Sequence, residues 1–317
     1  MSAQTTGIHH VTAISGEAQR NVDFYVGVLG LRMAKKTVNF DDPTTYHLYY
    51  GDGKGSPGSI MTFFPWGGAP LGLQGTGQLT TTTFSVPESS LGYWTERLVE
   101  HGVRFEKPAG RFGETVLNFA DLDGMRLELS ASPSEAREPW EGGFVPAEHA
   151  VRGFHHVTLS EREPARTAKL MTETLGFRDV EDVDGRQRFE AGEGGPGTYV
   201  DVVDGSAESR GRTGVGTVHH VAFRVPDEEK QLELREEIAS LGYNVTPVLD
   251  RNYFRSIYFR EPGGVLFEIA TDPPGFAVDE DPEHLGEHLK LPPWIEPRRS
   301  ELEEVLPPLR VPTAGTR

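Results

Sequence analysis

Three pairs of adjacent histidines are the residues of this chain with the clearest capacity for chemistry. They lie in the stretches GIHHVTAIS at 7–15, GFHHVTLSE at 153–161 and TVHHVAFRV at 217–225. Imidazole nitrogens bind divalent transition metals and titrate near neutral pH, so each pair could supply metal ligands or move protons. A single histidine pair is more often structural, but three pairs in similar apolar surroundings favour a metal site.

Carboxylates recur in the same pattern. Glu128 in NFADLDGMRLELS aligns with Glu268 in YFREPGGVLFEIA, and the two other copies of the pattern hold Thr62 and Asp201 at this position. Imidazole nitrogen and carboxylate oxygen together form the ligand sets of many transition-metal sites. The composition of a site therefore depends on which copies meet. Glu128 has no histidine in its own copy, and we interpret it as a vestigial residue that is either exposed or bonded to His156.

The pattern is an internal repeat of four modules, at about 7–66, 77–131, 153–204 and 216–271. The first module resembles the third, and the second resembles the fourth. Each begins with an apolar, β-branched stretch that predicts a strand, continues with a helical segment and ends in short strands separated by turn residues. The chain is therefore predicted to be an α+β protein of four βαβββ modules, whose sheets curve into cups with two modules in each.

The repeat divides the chain into four parts. An N-terminal domain at 1–131 is followed by a linker at 132–152, a C-terminal domain at 153–271 and a proline-rich extension at 272–317. Apolar side chains in the extension predict that it packs on the surface of the protein.

Two pairings of the modules give two different metal sites. If the first module joins the fourth, one cup holds His10, His220 and Glu268 and leaves coordination positions open. This set suits a non-haem Fe(II) that binds substrate and dioxygen together, and it also holds Mn(II). If the third module joins the fourth, His156 and Asp201 replace His10, and four protein ligands suit Lewis-acid chemistry better. The residues alone leave the choice between His10 and His156 open.

The adjacent histidines also differ in direction. Alternation along a strand places neighbouring side chains on opposite faces, so His9 and His10 cannot both point into one cup on a regular strand. Either a bulge turns one of them, or His9 and its counterpart His219 lie behind the ligands. A histidine close to a bound ligand could accept a proton from it.

Composition excludes several classes of function. The chain has no cysteine, which removes disulfides, thiolate nucleophiles and cysteine metal ligands. Its formal net charge is −17, so neither nucleic acid nor an anionic membrane is expected as a partner. No apolar run approaches a membrane span and no signal-peptide pattern is present, so a cytoplasmic location is expected.

Several stretches resemble the vicinal oxygen chelate superfamily, which includes glyoxalases, bleomycin-resistance proteins and a group of dioxygenases. The βαβββ repeat with histidine on a first strand and glutamate on a last strand is similar to the superfamily as a whole. More narrowly, the chain resembles ring-cleaving dioxygenases of the hydroquinone type. The motifs that carry this resemblance are HHVT near the N-terminus, YHLYYGD at 46–52, GTVHHVAF at 216–223, DRNYFRSIYFREPGGVLFEIATD at 250–272 and LPPW in the extension.

The resemblance implies that Fe(II) is the metal and that its ligands are His10, His220 and Glu268. The HHVT at 155–158 is then a remnant of duplication. The resemblance also implies catalytic roles near the substrate for five residues: His9, Thr12, His219, Arg251 and Tyr258.

The activity implied by the resemblance is the opening of a hydroquinone- or catechol-type ring, in an extradiol-like reaction. The partners are then a small aromatic substrate and dioxygen, and we expect a homo-oligomer, a dimer or tetramer. Two alternatives use the same fold. One is a glyoxalase-like, metal-dependent isomerase or lyase, and the other is a metal-free protein that binds small molecules.

Overall fold

The computed structural model describes residues 4–314, so the outermost three residues of the predicted N-terminal domain and of the extension lie outside the described range. The strands of the first half are β1 (Ile8–Ser15), β2 (Arg32–Val38), β3 (Tyr46–Gly51), β4 (Ile60–Pro65), β5 (Gln78–Pro87), β6 (Ala109–Arg111), β7 (Glu114–Ala120) and β8 (Arg126–Ser132). Those of the second half are β9 (Gly153–Glu161), β10 (Arg178–Val183), β11 (Arg186–Glu190), β12 (Tyr199–Asp204), β13 (Thr217–Val225), β14 (Leu249–Asp250), β15 (Arg255–Arg260) and β16 (Leu266–Thr271). The α-helices are α1 (Ala18–Val22), α2 (Leu91–Glu100), α3 (Pro164–Glu173), α4 (Glu228–Ser240) and α5 (Arg299–Val305).

The strands form two eight-stranded sheets, each built from two modules. The first sheet has the order β14-β15-β16-β13-β1-β4-β3-β2 and joins the fourth module to the first. The second has the order β10-β11-β12-β9-β5-β8-β7-β6 and joins the third module to the second. We call them the His10 sheet and the His156 sheet, after one histidine that each contains. The predicted α+β fold of four βαβββ modules is confirmed, and the first module lies beside the fourth.

Alternate residues on the strands of the His10 sheet lie in two environments. Val11, Val221 and Ile269 belong to the apolar core, together with Leu234 and Ile238 of α4. Full burial of such a side chain contributes roughly 1.5–3 kcal/mol to stability. This packing fixes the register of the strands, and the residues between these core positions therefore face the opposite side of the sheet.

Local signals set the ends of α4. Asp227 Oδ1 accepts a hydrogen bond from the backbone N–H of Lys230 at 2.9 Å, which satisfies a free donor of the first turn. Gly242 follows the last turn with a φ of 89°, a conformation that favours glycine. The corresponding helix of the first module is less regular, because α1 continues into a π-helical turn at Asp23–Val28.

The strands that carry the histidine pairs are irregular at the first histidine of each pair. In the pairing of β1 with β13, the register shifts once between Ile8 and His10 and again beside His219. These shifts leave His9 and His219 without a partner across the ladder, as in a β-bulge. The pairing of β5 with β9 has the same shift at His155. The bulge, one of the two alternatives for adjacent histidines, is therefore present at each pair.

The extension packs against the first module. Lys35 is fully buried, and its ammonium group lies 2.7 Å from Asp279 Oδ1 and 2.7 Å from Glu280 Oε2. Leu291 and Ile295 are buried in the main core. No helix among residues 4–314 is both long and apolar enough to span a bilayer.

Candidate metal centre

The register of the His10 sheet brings the predicted metal ligands to one face. His10 on β1 lies opposite Ala222 on β13, and Ala222 lies opposite Glu268 on β16. His220 precedes Ala222 by two residues, so it points to the same face. The sheet thus joins His10 and His220, which are 210 residues apart along the chain.

The three ligand atoms form a nearly equilateral triangle. His10 Nε2 lies 3.3 Å from His220 Nε2 and 3.2 Å from Glu268 Oε2, and His220 Nε2 lies 3.0 Å from Glu268 Oε2. Ligands bound about 2.1 Å from one ion lie roughly 3.0 Å apart at right angles and roughly 3.4 Å apart in a tetrahedron. The triangle therefore has the size that one divalent transition metal requires. Within residues 4–314, no other group of histidine and acidic side chains has such an arrangement.

Glu268 is fully buried and carries the negative charge of the triangle. Burial alone raises the pKa of its carboxyl group, but His10 and His220 outweigh burial and hold that pKa well below its usual range. The hydroxyl of Ser256 donates a hydrogen bond to Oε1, whereas Oε2 makes no hydrogen bond. A buried carboxylate oxygen without a donor is costly, so Oε2 also fits a bound cation. Ser256 escaped the sequence analysis, although alternation along β15 places it on the same face as Tyr258.

The two histidines of each pair contact each other through Nδ1. The Nδ1 atoms are 2.9 Å apart in His9 and His10 and 2.8 Å apart in His219 and His220. A histidine that binds a metal through Nε2 carries its proton on Nδ1, so the second histidine of each pair can donate to the first. His9 is buried behind His10, whereas His219 lines the cavity in front of the ligands.

Arg251 and Tyr258 lie at the same cavity. Arg251 Nε donates to Tyr258 Oη at 3.3 Å, and the guanidinium group lies 5.4 Å from the centre of the tyrosine ring. Tyr258 faces Glu268 across the ladder of β15 and β16. Burial and the negative charge of Glu268 raise the pKa of Tyr258, so its phenol stays protonated at neutral pH. On the rim, Asp41 Oδ2 lies 3.2 Å from Arg251 Nη1.

The cavity has a volume of about 440 Å³ and reaches His10 and His220. A volume of this size holds a small ring compound. Six aromatic side chains line much of the cavity: Phe40, His47, Tyr49, Phe64, Trp66 and Phe254. The chemistry of the wall therefore matches a planar apolar ligand, held over the three ligand atoms.

Thr12, predicted near the substrate, lies below the wall of the cavity in a chain of hydrogen bonds. Thr62 Oγ1 donates to Thr12 Oγ1 at 2.9 Å, and His47 Nε2 lies 2.8 Å from Thr62 Oγ1. Tyr49 Oη in turn lies 2.8 Å from His47 Nδ1. The motif YHLYYGD contains His47 and Tyr49, which have no predicted role from the sequence. Their positions two residues apart on β3 are the signal that places both on the cavity side.

His156, the alternative ligand, lies in the other sheet. Its Nε2 atom is 3.3 Å from Asp201 Oδ2 and 3.5 Å from Glu128 Oε1. Glu128 is fully buried, so the alternative that it is exposed is wrong. Arg111 pairs with Glu128 and Arg188 pairs with Asp201, so guanidinium groups neutralise both carboxylates.

Comparison with known proteins identifies the family. The model of the Glyoxalase/Bleomycin resistance protein/Dioxygenase superfamily matches residues 7–129 and 153–269. MhqO of Bacillus subtilis (strain 168), which bears the name of a ring-cleaving dioxygenase, is 47% identical over 311 residues, covering 98% of this chain and 99% of MhqO. A chlorohydroquinone/hydroquinone 1,2-dioxygenase of Sphingobium indicum is 37% identical over 303 residues, covering 93% of this chain and 94% of that enzyme.

A solved structure agrees with these relatives. The crystal structure of a Bacillus subtilis protein that bears the name of a dioxygenase superposes with a TM-score of 0.94 at 46% identity, covering 99% of this chain and 100% of that one. The chain therefore belongs to the Glyoxalase/Bleomycin resistance protein/Dioxygenase superfamily and, within it, to the ring-cleaving dioxygenases.

Proposed function

We propose that this protein is an Fe(II)-dependent dioxygenase that opens the ring of a small hydroquinone. The observation that carries the proposal is the triangle of His10, His220 and Glu268 at an aromatic-walled cavity. Two histidines and one carboxylate leave positions free on the metal for substrate and dioxygen. The relative from Sphingobium indicum, named for hydroquinone, supports the class of substrate.

The protein supplies position and charge around the metal. Fe(II), when bound by these three residues, supplies the redox chemistry that adds both atoms of dioxygen to the ring. The walls formed by Phe64, Trp66 and Phe254 exclude water and hold a planar ring in one orientation.

Arg251 and Tyr258 stabilise negative charge on the substrate. The guanidinium group lines the cavity, so it can face a phenolate oxygen of a bound hydroquinone. Tyr258 accepts a hydrogen bond from Arg251 and keeps its own hydrogen, so its hydroxyl remains free to donate. Donors already aimed at a developing negative charge are among the largest contributors to catalysis.

His219 acts as a hydrogen-bond donor in this scheme. Its Nδ1 accepts a hydrogen bond from the Nδ1–H of His220 when His220 holds the metal through Nε2, so the proton of His219 sits on its own Nε2. Burial and the neighbouring His220 lower the pKa of His219 to about 3, so the ring is neutral. We therefore revise the role suggested by the sequence, in which His219 or His9 accepts a phenolic proton. His9 positions His10 from behind.

Oxygen uptake tests the proposal directly. The purified chain is loaded with Fe(II) under anaerobic conditions, mixed with hydroquinone or methylhydroquinone and exposed to ¹⁸O₂. We expect uptake of dioxygen with a ring-opened product that carries two ¹⁸O atoms. Catechol, with vicinal hydroxyl groups, is the matched substrate that tests the position of cleavage.

Two control reactions separate the alternatives. Chain loaded with Mn(II) measures the requirement for Fe(II), and chain loaded with Ni(II) or Zn(II) and given the hemithioacetal of methylglyoxal and glutathione tests for isomerase activity. Turnover of the hemithioacetal without any oxygen uptake from hydroquinones would replace the dioxygenase by a glyoxalase-like enzyme. Absence of metal binding would leave a metal-free binding protein.

A further inference from the structure

The His156 sheet repeats the ladder of the proposed active site. In the His10 sheet, Thr12 on β1 pairs with His220 on β13. In the His156 sheet, Thr158 on β9 pairs with Thr81 on β5. The two central strand pairs are thus in the same register, so each residue around the metal triangle has a counterpart in the other sheet.

Two of these counterparts are arginines. Arg251 directly follows β14 in the fourth module, and Arg111 is the last residue of β6 in the second. The repeat that aligns Glu128 with Glu268 also aligns Arg111 with Arg251. On β3, Tyr49 pairs with Thr62, and His47, two residues earlier, contacts Thr62. On β11, Arg188 pairs with Asp201, and Arg186, two residues earlier, contacts Asp201. A guanidinium group therefore replaces the imidazole of His47.

In the His156 sheet, guanidinium groups rather than a metal ion lie beside the buried carboxylates. Arg186 Nη1 lies 3.2 Å from Asp201 Oδ2, Arg188 Nε lies 2.7 Å from Asp201 Oδ1, and Arg111 pairs with Glu128. Three cations thus face two carboxylates. Burial and the neighbouring Arg188 lower the pKa of His156, so its ring is neutral and adds no charge. The cluster keeps an excess of positive charge.

A cavity of about 610 Å³ opens at this cluster, and we call it the Arg111 cavity. Arg111 and Arg186 line it, and the exposed side chains of Arg104 and Arg126 lie on its rim. Neither rim arginine makes an ion pair with any residue between 4 and 314.

The acidic groups of the cavity are fewer than its arginines. Only Glu106 and Glu128 line it, so four guanidinium groups face two carboxylates. The cavity of the proposed active site has the opposite balance, because Asp41 and Asp42 line it with one arginine, Arg251. In a chain with a net charge of −17, such a basic cavity is a local exception that attracts anions.

The wall of the Arg111 cavity is polar, because Thr81 and Asn118 complete it. Phe119 and Leu127 border the cavity but pair with each other on the core side of the sheet. The planar fork of a guanidinium group matches the two oxygens of a carboxylate. We propose that the Arg111 cavity binds a small carboxylate, held between Arg111 and Arg186. This inference does not depend on the proposed function.

Binding of 4-fluorobenzoate to the metal-loaded, full-length chain tests the proposal by ¹⁹F NMR. We expect saturable binding, and we expect the neutral isostere 4-fluorobenzamide to bind at least about tenfold more weakly, because it lacks the charge. Substitution of the rim residue, Arg126→Gln, raises the dissociation constant of 4-fluorobenzoate about fivefold, since it removes one unpaired cation at the surface.

Two variants serve as controls. Arg162→Gln removes an exposed arginine that is also without an ion pair but lies outside the cavity, and it leaves the dissociation constant unchanged. Arg251→Gln removes the counterpart of Arg111 and reports binding in the other cavity. Equal binding of acid and amide, or a loss in Arg251→Gln instead of Arg126→Gln, would overturn the proposal.

Discussion

His219 and His220 meet through their Nδ1 atoms at 2.8 Å, and the rings lie edge to face with an angle of 78° between their planes. The contact fixes the ring of His220 by a hydrogen bond on the side away from the metal triangle. Such outer contacts orient metal ligands, and their loss typically lowers metal affinity about 10–100-fold.

The variant His219→Phe keeps a ring and removes this contact. We expect its dissociation constant for Fe(II) to rise about 10-fold or more. Anaerobic competition with a chromophoric chelator measures the change. The matched control is His155→Phe, which removes the corresponding contact with His156, 2.9 Å between the Nδ1 atoms, and leaves metal affinity unchanged. Equal affinities in His219→Phe and the wild type would show that the contact has no part in metal binding.

The ligand set itself is tested by two buried glutamates at matched positions. Glu268→Gln removes the carboxylate of the triangle, and we expect less than about a tenth of the wild-type metal content after gel filtration. Glu128→Gln changes the counterpart in the His156 sheet, and the metal content should stay at the wild-type value. Inductively coupled plasma mass spectrometry gives the content, and circular dichroism shows that both variants fold. Retention of metal by Glu268→Gln contradicts the assignment.

Lys35 connects the extension to the first module. Lys35→Met leaves Asp279 and Glu280 without their buried cation, and breaking a buried pair in this way costs about 3–5 kcal/mol of unfolding free energy. Lys230→Met removes a lysine that pairs with Glu233 at the surface, and we expect a far smaller loss, because an exposed ion pair contributes little to stability. Urea unfolding measures both, and limited proteolysis shows whether the extension has detached. Equal losses in the two variants would contradict the prediction.

A buried pair of carboxyl groups makes stability depend on pH. Glu161 lies beside Glu261, and burial together with that charge raises the pKa of Glu161 from 4.5 to about 8. The folded chain therefore holds a proton that the unfolded chain releases, so the free energy of unfolding falls as pH rises from 4.5 towards 8 and levels off above that.

Glu161→Gln removes this proton. The wild type loses unfolding free energy between about pH 5 and about pH 9, and the variant lacks this loss. The unfolding free energy of the variant minus that of the wild type should therefore increase over this range. Urea unfolding at both values measures the gain. Glu229→Gln, an exposed glutamate on α4, should follow the wild type at both. A constant difference between Glu161→Gln and the wild type would rule out titration of this residue.

The sequence predicts the modules well because they rest on local patterns. Strand alternation, helix periodicity and turn residues are local, and duplication repeats them four times. The positions of His220 and Glu268 follow from the same alignment. The ladder between β1 and β13 is not local, and the residues on either strand suit both pairings, so the choice between His10 and His156 needs the structure.

Other features of the site depend on side-chain contacts that leave no pattern. Ser256 is a small residue on a buried strand, and its role is to donate a hydrogen bond to Glu268 on the neighbouring strand. Arg111 and Arg186 look like surface arginines in the sequence, yet both neutralise buried carboxylates. Tyr25 and Leu29 are buried in and after the π-helical turn that follows α1, as they would be on one face of an α-helix. The spacing of apolar residues therefore predicts a helix here but does not distinguish a π-helix from an α-helix.

The union of the first and fourth modules has a consequence for synthesis on the ribosome. His10 emerges among the first residues, whereas its two partners emerge only with the fourth module at 216–271. A nascent chain that stops after residue 204 can pair its second and third modules but carries only one of the three ligands. Contacts between distant parts of a chain form late in folding. Synthesis therefore releases no fragment, short of nearly the whole chain, that could hold a reactive metal in this site.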